Sequence, residues 1–188
     1  ALDAVGETLA TIYENTPFFY EDGTPVSNWD SADTSNAVTI REAITRSVNI
    51  AAARCITAIT PALGFQYAQD LGITTLRPAT DCIQPLALGG ITDGVSNLEL
   101  TGAFAAIADD GIYRTPKFFT KILNRNGEVL YAFSDLEADA VSANELPDDF
   151  HTRTLAGRDN TRVLKDSTAF LLTSAMQGVV ADPSGTAY

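Results

Sequence analysis

Residues 38–52 read VTIREAITRSVNIAA. One apolar pattern of helical period runs through the first part of this stretch, and a second pattern begins near its end. The first phase places residues at positions i, i+3, i+4 and i+7, namely Ile40, Ala43, Ile44 and Ser47. A second phase then begins and places Ala52, Cys55, Ile56 and Ile59 on one face. The stretch therefore predicts two helices, 39–46 and 49–59, that meet near residues 47–50.

Two further helices are predicted downstream from their capping signals. A Thr-Pro pair at 60–61 combines an N-cap with a first-turn proline, which predicts a short helix over 61–71. Ser96 and Glu99 have the spacing of a capping box, which predicts a helix over 97–108. The predicted apolar face of that helix consists of Leu100, Phe104, Ile107 and Ala108.

The C-terminal part of the chain combines a hairpin, a polar loop and a last helix. Segment 117–133 predicts a β-hairpin, because β-prone runs flank an Asn-Gly dipeptide that tolerates the positive φ angles of a tight turn. Residues 134–161 are polar, acidic and aperiodic, so we expect a long surface loop there. The last helix is predicted over 167–177, with Asp166 or Ser167 as its N-cap.

The length of 188 residues, with 45% hydrophobic residues, is enough for one core, so we interpret the chain as part of a single domain. Its predicted parts are an ordered loop region (1–38), a helical core (39–112), the hairpin (117–133), the acidic loop (134–161), and a C-terminal helix with its tail (162–188). The predicted fold class is α+β and mostly helical, with fewer than five strands.

Charge and the length of the apolar runs argue against two classes of partner for this chain. It carries 12 Lys and Arg against 24 Asp and Glu, a formal net charge of −12. A protein of this charge repels phosphate backbones, so we expect no nucleic-acid partner. The apolar runs are far shorter than the ~20 residues of a membrane-spanning helix. We therefore expect contact with a membrane only through parts of a longer protein.

One His and two Cys are too few for the usual ligand sets of zinc, so no metal cofactor is expected. Cys55 lies on the apolar face of its predicted helix, where cysteine acts as a small hydrophobic residue. We expect Cys55 and Cys82 to be free thiols, although an oxidising compartment would permit a disulfide.

The candidate for chemistry is the Ser-x-Asn tripeptide at residues 47–49. The tripeptide alone is weak, since a second copy occurs at residues 142–144. The first copy lies between two predicted helices that could hold a hydroxyl and an amide rigidly, whereas the second lies in the acidic loop. A purely structural alternative makes Ser47 the N-cap of the helix that begins at Asn49 or Ile50.

Other candidate residues have simpler structural explanations. His151 lies in an aperiodic stretch, so we interpret it as a solvated loop histidine and not as a member of a Ser-His-Asp triad. The Asp pairs at 109–110 and 148–149 could suggest a glycosidase, but such pairs usually solvate helix ends and loops.

Several blocks, which follow one another over most of the chain, carry a family resemblance. They are residues 38–52, 86–90, 95–104, 109–113 with Pro116, 119–130 and 168–179. These blocks resemble the transpeptidase domain of penicillin-binding proteins, above all the bifunctional class A enzymes of bacterial cell-wall synthesis. Collinear blocks over most of a chain are far more specific than one tripeptide.

The resemblance implies the transpeptidase fold, which is serine β-lactamase-like. This chain would hold its helical part and a small hairpin, with the central sheet largely missing. It also implies a peptidoglycan D,D-transpeptidase, in which a serine of another motif forms an acyl-enzyme with a stem peptide or a β-lactam. By resemblance, the Ser47 hydroxyl would hydrogen-bond the lysine of that motif and help to pass a proton. The Asn49 side chain would bind the amide of the stem peptide or antibiotic.

The implied partners are peptidoglycan stem peptides and β-lactam antibiotics, and no cofactor is implied. The implied location is the extracytoplasmic face of the bacterial cell membrane, with an anchor outside this chain. A class B transpeptidase is the near alternative. Two other classes stay open: an inactive pseudo-transpeptidase that only binds peptidoglycan or a partner, and a β-lactam sensor or β-lactamase relative.

Two of the three motifs of this family do not occur in the sequence. No lysine stands three residues after a serine, as Ser-x-x-Lys requires. None of Lys117, Lys121 and Lys165 precedes Thr-Gly or Ser-Gly. We therefore expect that the chain is cut from a longer protein between these motifs and is inactive alone.

Overall fold

The computed structural model describes residues 1–31, 35–117, 119–132 and 160–188. Within these residues the fold is α+β and mostly helical, as predicted. The helices are α1 (Ile40–Thr45), α2 (Asn49–Ile59), α3 (Pro61–Asp70), α4 (Pro78–Asp81), α5 (Asn97–Ala108) and α6 (Asp166–Ala181), and a 3-10 helix covers Gln84–Leu88. The short α4 and the 3-10 helix were not predicted.

Helices α1 and α2 form where the two sequence phases predict them, and capping explains the first boundary. The Thr39 hydroxyl accepts a hydrogen bond from the Glu42 backbone N–H at 3.2 Å. In return the Glu42 carboxylate accepts from the Thr39 backbone N–H at 2.8 Å, which completes a capping box. These bonds to Thr39 lower the pKa of Glu42. Helix α2 has the predicted bounds.

Eight short strands occur in the described part of the chain, so the prediction of fewer than five was wrong. They are β1 (Ile12–Glu14), β2 (Phe18–Phe19), β3 (Pro25–Val26), β4 (Ala37–Thr39), β5 (Ile112–Tyr113), β6 (Lys121–Leu123), β7 (Val129–Ala132) and β8 (Thr161–Arg162). They pair as β1 with β4, β2 with β3, β5 with β8 and β6 with β7, all antiparallel. Strands of two to four residues are too short to leave a period in the sequence.

Each of these sheets has two strands, so no large central sheet is present among the described residues. Four of the strands lie in the first 39 residues. That region is therefore more regular than the predicted loop. The pairing of β1 with β4 closes the region and delivers the chain directly into α1.

The predicted hairpin forms from β6 and β7, but its turn differs from the prediction. A two-residue Asn-Gly turn of type I′ needs positive φ at both residues, whereas here only Gly127 has it, at +83°. The Gly127 N–H donates to the Asn124 carbonyl at 3.0 Å. The Asn124 side-chain oxygen also accepts the N–H of Glu128 at 3.0 Å. The turn is therefore longer than predicted, and residues 118 and 133 lie outside the described residues.

Helix α5 has the predicted bounds and the predicted capping box between Ser96 and Glu99, but its buried face was predicted wrongly. Leu100 and Phe104 are 44% and 52% exposed. The buried residues are the small ones, Gly102, Ala103 and Ala106. Small side chains let the helix backbone approach its neighbours closely, and this close approach decides the orientation of α5.

Helix α6 extends beyond its predicted range at both ends and begins without the predicted cap. Asp166 is its first residue and Lys165 its N-cap, with no capping bond from a side chain. Instead, the Lys165 N–H donates to the Asp3 carboxylate at 2.8 Å, and the Lys165 ammonium donates to the Asp3 carbonyl at 2.7 Å. A residue 162 positions earlier thus holds the start of α6, which no local pattern could predict.

Two apolar clusters hold the junction between α1 and α2. Leu9, Ile40 and Ala175 pack together and join the N-terminal segment, α1 and α6. Val38, Val48 and Ala51 form the second cluster and join β4 to the start of α2. Because Val48 is buried between Ser47 and Asn49, it fixes the middle of the Ser-x-Asn tripeptide in the core.

Candidate functional site

Ser47 is the middle one of the three residues that connect α1 to α2, and its backbone conformation is uncommon. Its φ is +53°, in the left-handed region, which costs a non-glycine residue about 1–2 kcal/mol. Its backbone N–H donates to the Ile44 carbonyl at 3.3 Å. The side chain is exposed, and the hydroxyl has no hydrogen-bond partner among the described residues. A strained residue with an uncommitted hydroxyl at the surface is typical of a functional position.

Ser47 is not the N-cap of α2, so the purely structural alternative is wrong. The N-cap is Val48, whose side chain makes no capping hydrogen bond. Asn28 supplies the missing acceptor, since its side-chain oxygen accepts the Ile50 N–H at 3.1 Å. The Ser47 hydroxyl is therefore not needed to start the helix.

Asn49 is the first residue of α2, and its side chain already makes one hydrogen bond within the protein. Its amide Nδ2 donates to the Ser27 carbonyl at 2.9 Å. The amide oxygen and the second N–H have no partner among the described residues. They leave one acceptor and one donor for a ligand, which is the pair needed to bind a peptide unit.

Residues 27–29, which we call the clamp segment, hold the tripeptide on both sides. The Ser27 carbonyl and the Asn28 side chain bind the start of α2, as described above. On the other side, Trp29 Nε1 donates to the Arg46 carbonyl at 2.9 Å. The Asn28 amide also donates to the Asn15 side chain at 2.8 Å, which ties the clamp segment to the N-terminal region.

Sequence reasoning missed the clamp segment. Its residues lie about twenty positions before the tripeptide and carry no periodic pattern. The available signal was Trp29, the one tryptophan of the chain, in a polar stretch where a large ring needs an explanation.

Two cavities adjoin the tripeptide. The larger, of about 780 Å³, is mostly apolar, and Ser47, Val48 and Asn49 line it. The smaller, of about 200 Å³, we call the Trp29 hollow. Its lining consists of Asn28, Trp29, Asp30, Arg46, Ser47, Val48 and Ser184. Ser47 is therefore shared by both cavities.

Two groups along the larger cavity, the Cys55 thiol and the Tyr13 hydroxyl, are poorly suited to act as nucleophiles. Burial raises the pKa of Cys55, so its thiol stays protonated at neutral pH. Burial and a hydrogen bond to Glu7 raise the pKa of Tyr13; the Tyr13 hydroxyl donates to Glu7 Oε1 at 2.8 Å. Both cysteines are free, as predicted.

The remaining sequence candidates have structural roles or lie outside the described residues. The Asp109 carboxylate pairs with Arg114 at 2.6 Å beside the end of α5. His151, the Asp pair at 148–149 and the second Ser-x-Asn copy at 142–144 lie outside the described residues.

Among the described residues, no cluster of three or more His, Cys, Asp or Glu could hold a metal ion. In the same residues, no helix has the length and apolar character to cross a membrane.

The fold and the site together define a class of protein. Ser-x-Asn is one of the three motifs of penicillin-binding proteins and class A β-lactamases, and here a junction of two helices presents it to a cavity. The family model described as the penicillin binding protein transpeptidase domain matches residues 8–188. The chain belongs to this family.

Known relatives agree with this assignment. Penicillin-binding protein 1A of Clostridium botulinum (strain Hall) is 28% identical over 194 residues, which cover 99% of this chain and 20% of that protein. The chain thus spans about a fifth of the length of this relative.

Solved structures show the same fold. The D,D-transpeptidase domain of a peptidoglycan glycosyltransferase from Eggerthella lenta has a TM-score of 0.71 at 17% identity, covering 99% of this chain and 46% of that chain. The PonA1 protein from Mycobacterium tuberculosis, in complex with penicillin V, has a TM-score of 0.67 at 20% identity, covering 91% of this chain and 42% of that chain. The transpeptidase fold predicted from the resemblance is therefore confirmed.

Proposed function

We propose that the chain is part of a peptidoglycan D,D-transpeptidase of the class A type, which cross-links stem peptides through an acyl-serine enzyme and is a target of β-lactams. The observation that carries the proposal is the exposed Ser47 in its left-handed turn, next to Asn49 and open to two cavities. Family membership supports the reaction class. The similarity to penicillin-binding protein 1A of Clostridium botulinum over almost the whole chain supports the class A type.

In the proposed reaction, the serine of a Ser-x-x-Lys motif attacks the penultimate D-Ala carbonyl of a stem peptide. An ester to the serine forms, and the bond to the terminal D-Ala nitrogen breaks. The lysine takes the hydroxyl proton of the attacking serine and passes a proton to the Ser47 hydroxyl, which donates its own proton to the leaving nitrogen. An amine of a neighbouring stem peptide then attacks the ester, which releases the serine and forms the cross-link. A hydroxyl with no partner in the protein is suited to this step, because it can accept and donate at once.

Asn49 is proposed to bind the acyl donor. Its amide has one free N–H and one free oxygen, which match the carbonyl and the N–H of a peptide unit or of a β-lactam side-chain amide. The bond from Asn49 Nδ2 to the Ser27 carbonyl keeps the amide plane in one orientation. The proposed partners are thus stem peptides and β-lactams, and the proposed location is the extracytoplasmic face of the bacterial membrane.

Asn49→Ala tests the binding role. We refer to a transpeptidase domain that contains this chain together with the Ser-x-x-Lys and Lys-Thr-Gly motifs as the complete domain. In the complete domain, we expect the variant to raise the dissociation constant for a fluorescent penicillin by about tenfold, because the ligand amide loses its partner in a desolvated site. Stopped-flow fluorescence measures this constant. Asn144→Ala, in the second Ser-x-Asn copy, is the matched control and should keep the parent value.

The 188-residue chain alone is expected to form no covalent adduct with a fluorescent penicillin, because its sequence contains no Ser-x-x-Lys nucleophile motif. Gel fluorescence and intact-mass measurement check this. A stoichiometric adduct would contradict the assignment of the nucleophile to a motif outside the chain. In the complete domain, reversible binding without acylation would indicate a pseudo-transpeptidase, and rapid turnover of the antibiotic would indicate a β-lactamase relative.

A further inference from the structure

We infer that Trp29 is a positioning residue for Ser47. Its indole N–H holds the turn between α1 and α2, and its ring forms a wall of the hollow that Ser47 lines. The inference rests on the proposed function of Ser47 and names a residue to which neither the resemblance nor the tripeptide points.

The bond from Trp29 fixes one particular peptide group. Trp29 Nε1 donates to the carbonyl of Arg46 at 2.9 Å, and the N–H of the same peptide group, that of Ser47, donates to the Ile44 carbonyl at 3.3 Å. A peptide group is planar and rigid, so anchoring its oxygen and its N–H defines its orientation. The orientation of this group sets the φ angle of Ser47, and with it the direction of the side chain.

The left-handed turn needs such an anchor. A serine at a φ of +53° keeps this conformation only where the surrounding structure enforces it. On the far side of Ser47, the Val48 N–H donates to the Ala43 carbonyl at 2.9 Å, and residues Ser27 and Asn28 bind the start of α2. Trp29 is the clamp-segment residue that acts on the near side, at the end of α1, where helix carbonyls lack partners within the helix.

The ring of Trp29 has a separate use. The residue is 63% exposed, so the ring adds little burial to the core. Its N–H is nevertheless committed to Arg46, and the ring lines the Trp29 hollow together with Ser47 and Ser184. An indole whose polar atom is satisfied offers an apolar face to a ligand. A group of the acyl donor bound in this hollow would contact the ring of Trp29.

Two variants of the complete domain separate the two roles. Trp29→Phe keeps an aromatic ring and removes the N–H, so we expect the acylation rate constant for a fluorescent penicillin to fall about tenfold with the dissociation constant unchanged. Trp29→Ala removes both, so the same fall should be joined by a several-fold rise in the dissociation constant. Phe19→Ala is the matched control, because Phe19 is similarly exposed, at 59%, and lines neither cavity.

Ser47→Ala, measured in the same assay, separates the failure of this inference from that of the proposed function. If Ser47→Ala acylates slowly while both folded Trp29 variants keep the parent rate constant, the positioning role of Trp29 is wrong and the role of Ser47 stands. If Ser47→Ala acylates at the parent rate, the assignment of the site itself is wrong. The Trp29 variants could also contain fewer active molecules, while those molecules keep the parent acylation rate constant and dissociation constant. That result would show that Trp29 has only a structural role, and it would also overturn the inference.

Discussion

Ser47→Ala is expected to slow acylation of the complete domain by a β-lactam by on the order of a hundredfold or more, because a positioned proton carrier is lost. The thermal stability should change little. The Ser47 hydroxyl makes no hydrogen bond within the described residues, and alanine meets the same backbone strain as serine at a φ of +53°. Surface changes of this kind usually alter the free energy of unfolding by about 0.5 kcal/mol or less. Rapid-mixing fluorescence and a thermal melt measure the two quantities.

The matched control is Ser142→Ala, which removes a serine from the same tripeptide type at residues 142–144. It should acylate at the parent rate. If both serine variants were equally slow, or if folded Ser47→Ala acylated normally, the second active-site motif would not be residues 47–49. The comparison separates the effect of the position of the tripeptide on the acylation rate from the effect of its composition.

Elements that depend on local chemistry could be predicted from the sequence. Helix α2 begins and ends where the apolar phase does, and α5 begins at the capping box of Ser96 and Glu99. At the start of α5, the residues that decide the boundary lie within one helical turn of it. The same holds for Thr60, whose side chain caps α3 as predicted.

Elements that depend on distant partners could not be predicted. The pairing of Tyr13 with Val38 joins strands of three residues across a long separation. The buried face of α5 depends on what packs against the helix, and Gly102 lies close to Tyr113 and Pro116. A prediction from hydrophobicity alone therefore placed the buried face on the wrong side of the helix. A local sequence pattern indicates which residues are apolar enough to be buried. The tertiary contacts then decide which of these residues are buried in the folded chain.

The candidate site divides in the same way. The position of Ser47 and Asn49 where two helices meet could be predicted, because the tripeptide lies between two predicted helices. Their backbone support could not, since Asn28 and Trp29 reach them from another part of the chain. The tripeptide therefore indicates where the proposed chemistry lies, and the bonds from the clamp segment support the backbone conformation of the serine there.

A second large effect is expected at Gly111, where the end of α5 meets the start of α6. Gly111 has a φ of +84°, and an added Cβ would lie 2.3 Å from the Leu164 carbonyl oxygen. The Gly111 carbonyl accepts the N–H groups of Val163 at 2.8 Å and Leu164 at 3.1 Å. The two backbone segments are thus in direct contact, and the contact cannot open without losing both hydrogen bonds.

Gly111→Ala is expected to lower the free energy of unfolding by about 3 kcal/mol or more, since the left-handed conformation costs about 1–2 kcal/mol and the backbone overlap adds about 1–3 kcal/mol. Gly127→Ala is the matched control. Its φ of +83° is nearly the same, but no atom lies within 4 Å of the added Cβ, so only the conformational cost of about 1–2 kcal/mol applies. Thermal melts of both variants measure the difference, because 1 kcal/mol shifts the melting temperature of a domain of this size by about 2–4 °C. Equal shifts for the two variants would mean that the close approach of Gly111 to Leu164 does not constrain the fold.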